Sequence, residues 1–227
     1  MSNEELINNL ILNGYLKTPA IIQAFKKVDR ADFVPDNMKN LAYINDPLPI
    51  GHGQTISQPL TVAIMFELLN PKPGQKILDI GFGSGWTTAM LANIVHSQPE
   101  SKGLVVALEI IPEIFEFGKK NIEKYHFKNV ELFNQSGYEG LPKEAPPSLL
   151  ARRSPEGEGE SLAEGFDRIL VSASTQEVSE SLKKQLKIGG KLVIPVRNSI
   201  FEIKRKEDDE FEEKEHFGFS FVPFIEN

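Results

Sequence analysis

The sequence predicts an α/β fold with a mostly parallel sheet, and three observations carry that prediction. The run KILDIGFGSGWTTAMLANIV at 76–95 reads as buried strand, glycine turn and helix. Ile77, Leu78 and Ile80 suit a strand covered on both faces, and Met90 and Ile94 follow Trp86 at helical spacing. Strand-like and helical stretches then alternate, which calls for crossover connections and parallel pairing. The C-terminal stretch instead alternates apolar and charged residues on either side of Glu207-Asp208-Asp209, the pattern of an antiparallel hairpin.

The elements follow in order. Ser2 with Glu5 forms a capping box ahead of Leu6, Ile7, Leu10 and Ile11, a first helix that ends at Asn13-Gly14. Thr18-Pro19 opens a second, carrying Ile21, Ile22, Phe25 and Val28. Residues 30–59 hold Pro35, Pro47, Pro49 and Pro59 with Gly51 and Gly53 and are expected to be mostly loop. So long an irregular segment is a candidate for lining a site. A helix over 60–69 stops at Pro71, and Pro73-Gly74 turns into the strand at 76–80. Strands are expected at 104–110, 129–133, 166–174 and 191–196, and helices at 112–125 and 178–186, the latter closed by Gly189-Gly190. On the return of the hairpin Phe211, Phe217, Phe219 and Phe221 share one parity. Residues 142–165 hold four prolines, three glycines and five glutamates, the composition of a flexible surface insertion.

A length of 227 residues fits one domain over 1–227: N-terminal helices and a substrate loop at 1–59, and a cofactor-binding sheet core at 60–227. The net charge of -7 opposes a charge-driven binder of nucleic acid or of a membrane surface. Zero cysteines exclude disulfides, thiolate metal sites and cysteine nucleophiles, and fit a reducing, cytoplasmic setting. No metal site is expected. The start MSNEELINN lacks the basic and apolar regions of a signal peptide, and no run approaches the roughly 18 apolar residues of a membrane span.

The glycine turn reads Gly81-x-Gly83-x-Gly85, whereas a dinucleotide fingerprint needs its third glycine three residues after the second. Glu109 ends the next strand, 24 residues after Gly85, where a carboxylate can accept from both hydroxyls of a ribose. Asp79 adds a second negative charge beside the turn. Two carboxylates suit a cationic ligand better than a diphosphate, and S-adenosyl-L-methionine answers that description. The alternative is that Asp79 caps the turn and Glu109 lies on a surface.

The segment from R-A-D-F-V-P at 30–35 through D-x-P-L-P-I-G-H-G-Q-T-I-S-Q-P at 46–59, followed by L-D-I-G-F-G-S-G-W, closely resembles the protein-L-isoaspartate (D-aspartate) O-methyltransferase family. The likeness runs from the first helix to the closing F-V-P. It implies a Rossmann-like methyltransferase fold with a seven-stranded sheet covered by helices on both faces, S-adenosyl-L-methionine as cofactor, and isoaspartyl-containing proteins and peptides as partners. The free carboxylate of the abnormal residue is esterified, which begins its repair. Ser57 matches the active-site serine, Gly81, Gly83, Ser84 and Gly85 the cofactor loop, and Glu109 the ribose acid.

A carboxylate is ionised at neutral pH, so it needs no general base. A Ser57 hydroxyl can orient it while Gln54, Thr55 and Ile56 shape the approach. His52 is either a further donor or a loop histidine bonded to backbone, and Asp46, which would repel the substrate, is assigned to holding the loop. Val222, within Phe221-Val222-Pro223, belongs to an edge that can pair with a peptide backbone, unless Phe221 is ordinary core. The sequence departs from the family in three places. Gln135-Ser136-Gly137 replaces G-D-G, leaving Gln135 and Ser136 to serve the cofactor in place of an acid. Ser172-Ala173-Ser174-Thr175 stands where alanines and proline are usual, and the insertion at 142–165 is long. These departures keep open a methyltransferase with another acceptor, or a cofactor-binding module without catalysis; the chain is expected to act as a monomer.

Overall fold

The computed structural model describes residues 1–98, 100–141, 165–207 and 209–224. The insertion expected at 142–165 lies outside the described residues except for Gly165, and so does Asp208 of the expected turn.

Helix α1 (Asn3–Leu12) begins at the capping box, with Ser2 Oγ accepting from the Glu5 amide at 3.2 Å and Glu5 Oε2 from the Ser2 amide at 2.6 Å. It buries Leu6, Ile7 and Leu10. Helix α2 (Pro19–Lys27) inserts Phe25 edge-on against Trp86, with ring centroids 5.4 Å apart. Burying such a ring contributes roughly 2–3 kcal/mol, enough to anchor a helix of this length. Residues 30–59 are more ordered than the prolines suggest. Two 3-10 turns, Arg30–Phe33 and Asp36–Leu41, lead into a hairpin of β1 (Leu48–Gly51) and β2 (Gln54–Ile56). His52 and Gly53 turn that hairpin with φ of 49° and 72°.

Helix α3 (Pro59–Leu69) precedes β3 (Lys76–Ile80), α4 (Trp86–Val95), β4 (Leu104–Glu109), α5 (Pro112–Glu123) and β5 (Val130–Asn134). Then come β6 (Phe166–Val171), α6 (Glu180–Lys184), β7 (Leu186–Val196), β8 (Ser199–Glu207) and β9 (Glu210–Phe217). The seven-stranded sheet has the order β5-β4-β3-β6-β7-β8-β9. Its pairs are parallel from β5 to β7 and antiparallel from β7 to β9. Ile77 faces the core formed with α1 to α5, while Leu78 and Ile80 face a second core that includes Leu182 of α6. The chain runs outward from β3 to β4 and later returns to β3's other side with β6. A crevice therefore opens at the carboxyl ends of these strands, the switch point at which such sheets bind ligands.

One expectation is corrected. The helix expected over 178–186 spans only 180–184, and β7 begins at Leu186 and runs through Gly189-Gly190, which bulge between the pairs Phe166↔Leu186 and Arg168↔Lys191. Glycines that read as a helix stop are extra residues in a strand. Of the phenylalanines that share one parity, Phe211 on β9 packs against the core that includes Leu182, Phe217 is 77% exposed, and Phe219 and Phe221, past the strand and beyond Gly218, pack against the larger core.

Candidate active site

The crevice is a cleft at the ends of β3, β4, β5 and β6. Its floor is the turn after β3, where Gly81, Gly83 and Gly85 have φ of 73°, 54° and 88°, a region that side chains disfavour. The turn is fixed from outside. The Gly81 amide donates to the Leu108 carbonyl at 2.8 Å, and a Cβ on Gly85 would lie 2.7 Å from Ile122 Cγ1 of α5. Gly118 of the same helix packs against the Gly83 carbonyl so closely that a Cβ there would collide with it, and would also come within 2.6 Å of Phe82 Cε2. Helix α5 therefore supports the turn through bare backbone. Its glycine carries no sequence signal that distinguishes it from an ordinary helix interruption.

Glu109 closes one side. It is buried, its Oε2 accepts from the Gly83 amide at 3.1 Å, and its Oε1 accepts from the Ile111 amide at 3.0 Å. Burial raises its pKa above the usual carboxylate value, while backbone donors, led by Ile111 and then Gly83, oppose that rise. Among the described residues it is the one charged side chain lining the cleft.

Asp79, expected beside it, does not line the cleft. It is wholly buried beneath the start of α4, where Oδ2 accepts from Thr88 Oγ1 at 2.6 Å and from Thr87 Oγ1 at 3.0 Å. The geometry is that of a carboxylate capping the turn. Burial pushes its carboxyl up to about 6, against the pull of Thr88 and Thr87, with repulsion from Glu109 adding to the rise. A native pKa above the unfolded one means that the folded state binds the extra proton. This group's contribution to stability therefore falls as pH rises from about 4 to about 6, then stays level. Two pKa units correspond to roughly 3 kcal/mol. Urea unfolding of wild type and Asp79→Asn should show the variant gaining on wild type across that interval, and a pH-independent difference would mean that Asp79 titrates alike in both states.

The remaining expected residues divide. Gln54, Thr55 and Ile56 line the cleft from β2 and Ser57 from just after it, Ser84 from the glycine turn, and Val222 from the C-terminal segment. His52 sits in the exposed hairpin turn, and neither Gln135 nor Ser136 reaches the wall, where Gly137 stands instead. The C-terminal segment is tied across the end of β6. The Ser174 amide donates to the Val222 carbonyl at 2.8 Å, and the Phe224 amide returns a bond to the Ser174 carbonyl at 2.7 Å.

A second hollow adjoins the first and shares Thr55, Ser57, Ser172, Val222 and Pro223 with it. Its remaining walls include Gln58, Thr61, Ser220 and Phe221, so no charged side chain among the described residues lines it. The arrangement provides one site with a single anionic acceptor and a neighbouring, neutral, hydroxyl-rich site, joined along a common seam at Ser57.

What holds that seam is Arg30, a residue without an assigned role in the sequence. It is 0% exposed. Nη1 donates to the carbonyls of Ala42 at 2.6 Å and Ile44 at 3.3 Å, and Nη2 to those of Asp46 at 2.9 Å and Ser57 at 3.1 Å. Its guanidinium also lies 5.5 Å from the centroid of Trp86, which lines the cleft from the first turn of α4. Burial pushes its pKa down to about 10, partly offset by Asp46, so it remains charged at neutral pH. Asp46 thus contributes a carbonyl and a charge to the loop's anchor, in keeping with the holding role expected of it.

Comparison with known proteins agrees with this geometry. The family model for protein-L-isoaspartate(D-aspartate) O-methyltransferase matches residues 1–151 and 157–227. A protein-L-isoaspartate O-methyltransferase of Methanopyrus kandleri is 39% identical over 229 residues, covering 99% of this chain and 91% of that one. One from Staphylothermus marinus is 40% identical over 218 residues, covering 93% and 88%. Among solved structures, a crystal structure from Plasmodium falciparum assigned to the same enzymes, in complex with S-adenosyl-L-homocysteine, superimposes with a TM-score of 0.81 at 26% identity over 100% of both chains.

Proposed function

The chain belongs to the protein-L-isoaspartate(D-aspartate) O-methyltransferase family, and from that premise we infer how its own residues divide the work. The activity is S-adenosyl-L-methionine-dependent methylation of the free carboxylate of L-isoaspartyl residues in damaged proteins and peptides. The observation that carries this reading for the site is the seam: an anionic cleft and a neutral hydroxyl-lined hollow that share Ser57.

The cleft fits the cofactor. A buried carboxylate held by two backbone amides retains lone pairs for ribose hydroxyls, and a glycine turn without side chains lets a ligand lie against backbone. When bound, the cofactor supplies a methyl group on a positively charged sulfur. Glu109 holds the ribose, and Gly81, Gly83 and Ser84 face the rest. Asp79 acts indirectly, by fixing the start of α4 through Thr87 and Thr88. Gln135 and Ser136 are not among the cleft's lining residues, so if they serve the cofactor they would do so from behind Gly137.

The substrate enters through the neutral hollow. Its carboxylate arrives ionised, so no side chain has to remove a proton. Ser57 donates a hydrogen bond to orient it, Gln54, Thr55 and Ile56 shape the passage, and Val222 with Phe221 borders the hollow beside the peptide. Holding the reactants in line and excluding water is most of the required catalysis. His52, out in the hairpin turn, is read as a loop residue. The acidic net charge of -7 supports a partner set without nucleic acid, and no helix among the described residues is long and apolar enough to cross a membrane. A monomer acting in the cytoplasm is the form read here.

The experiment is methyl transfer to a synthetic isoaspartyl peptide, with its aspartyl twin as blank. Wild type should form a base-labile ester on the first alone, and Ser57→Ala should lose about 10- to 100-fold in turnover while keeping its cofactor affinity. Cofactor binding with no ester formed would overturn the acceptor, and full turnover in Ser57→Ala would overturn the role of the hydroxyl.

A further inference from the structure

Ser172 follows the carboxyl end of β6 and borders both cavities, as Thr55 does from β2 and Ser57 from just after it. Its amide is engaged, donating to the Ile80 carbonyl at 2.9 Å, which fixes the residue against β3 beside the glycine turn. The neighbouring hydroxyls are also engaged. Ser174 Oγ donates to the Arg197 carbonyl at 3.0 Å, and Thr175 Oγ1 to that of Glu177 at 2.8 Å. The Ser172 hydroxyl pairs with no group among the described residues, and it lies where the two hollows meet.

We propose that Ser172 donates a second hydrogen bond to the substrate carboxylate, opposite in origin to that of Ser57: one from the sheet, one from the loop. The proposal rests on the activity assigned above. A carboxylate offers two oxygens and about four lone-pair sites, and one donor leaves most of them bare once water is excluded. Among the described residues the neutral wall holds no cation to make up the difference. Two hydroxyls on separate elements engage both oxygens and set the plane of the group. Being uncharged, they leave on the attacking oxygen more of the negative charge than a guanidinium or ammonium would. Such a pair selects a free carboxylate over a carboxamide, whose nitrogen offers a donor where an acceptor is required.

The test uses the full chain as wild type, Ser172→Ala, Ser57→Ala and the double variant, on an isoaspartyl hexapeptide with its aspartyl twin as blank. For Ser172→Ala, kcat/KM should fall about 10- to 100-fold, the loss of one hydrogen bond to a charged group. Calorimetric affinity for S-adenosyl-L-homocysteine and the melting temperature should stay at the wild-type values. The double variant should lose less than the product of the single losses, since both hydroxyls serve one group. Ester formation by Ser172→Ala at the wild-type rate overturns this proposal alone. A matching loss of S-adenosyl-L-homocysteine affinity or of melting temperature also overturns it, by assigning the hydroxyl to the cofactor or to the fold. No ester from wild type overturns the assigned activity, and this proposal with it.

Discussion

Replacing Arg30 by methionine should destabilise the protein by roughly 3–5 kcal/mol, the range for removing one partner from a buried charged network. The methionine fills much of the volume but donates nothing, so the carbonyls of Ala42, Ile44, Asp46 and Ser57 lose their shared partner. An unsatisfied buried acceptor costs about 1–3 kcal/mol, and part of the four is recovered by water entering the loosened loop. Arg30→Lys keeps the charge but presents a single ammonium to acceptors spread over residues 42 to 57, and should recover less than half of the loss. Urea denaturation measures the first effect. Methyl transfer measures a second: under conditions where the lysine variant is folded, its turnover should fall more than its S-adenosyl-L-homocysteine affinity, because the anchor being weakened is that of Ser57. Stability within about 1 kcal/mol of wild type for the methionine variant would show that the carbonyls find other donors.

Glu109→Ala should weaken binding of S-adenosyl-L-homocysteine roughly 100-fold, about 3 kcal/mol. The carboxylate has two jobs on this reading: holding the Gly83 and Ile111 amides, and accepting from the ribose. Alanine removes both. Glu109→Gln keeps one acceptor oxygen and should lose only about 10-fold. Its pH profile separates the variants further. Because burial raises the Glu109 pKa, wild-type affinity should decline on the acid side earlier than an ordinary carboxylate would predict, and the glutamine variant should lack that decline. Calorimetric titration reads both effects, and wild-type affinity in Glu109→Ala would remove the residue from the site.

Much of the fold is legible where local chemistry and tertiary role coincide. The capping box at Ser2, the proline at the start of α2 and the strand, glycine turn and helix of 76–95 are set by short-range patterns that the structure repeats. The errors lie where a local signal has two uses. Gly189-Gly190 serves a bulge as readily as a helix stop. In the site, the spacing from the glycine turn points to Glu109 and the resemblance to the family points to Gln54–Ser57, and both lie at the cleft wall. For Asp79 both the ligand and the turn-capping readings fit the sequence, because a carboxylate at a strand end faces a ligand or a helix start according to the threonines beyond it, and here Thr87 and Thr88 take it. Arg30 has no legible role in the sequence, because arginine is almost never fully buried and its four acceptors are main-chain atoms that no side-chain pattern announces.

The neutral hollow bears on how the reaction ends. The peptide enters with a charged carboxylate and leaves as an uncharged ester, so a wall with a fixed cation would bind the two very differently and would face desolvation with no partner after each transfer. Hydroxyls can turn. Along a lining of Thr55, Ser57, Thr61, Ser172 and Ser220, a donor can rotate to other acceptors or to returning water once the charge is gone. With no fixed charge among its described lining residues, the hollow proposed for the substrate would leave no cation unpaired when the ester departs.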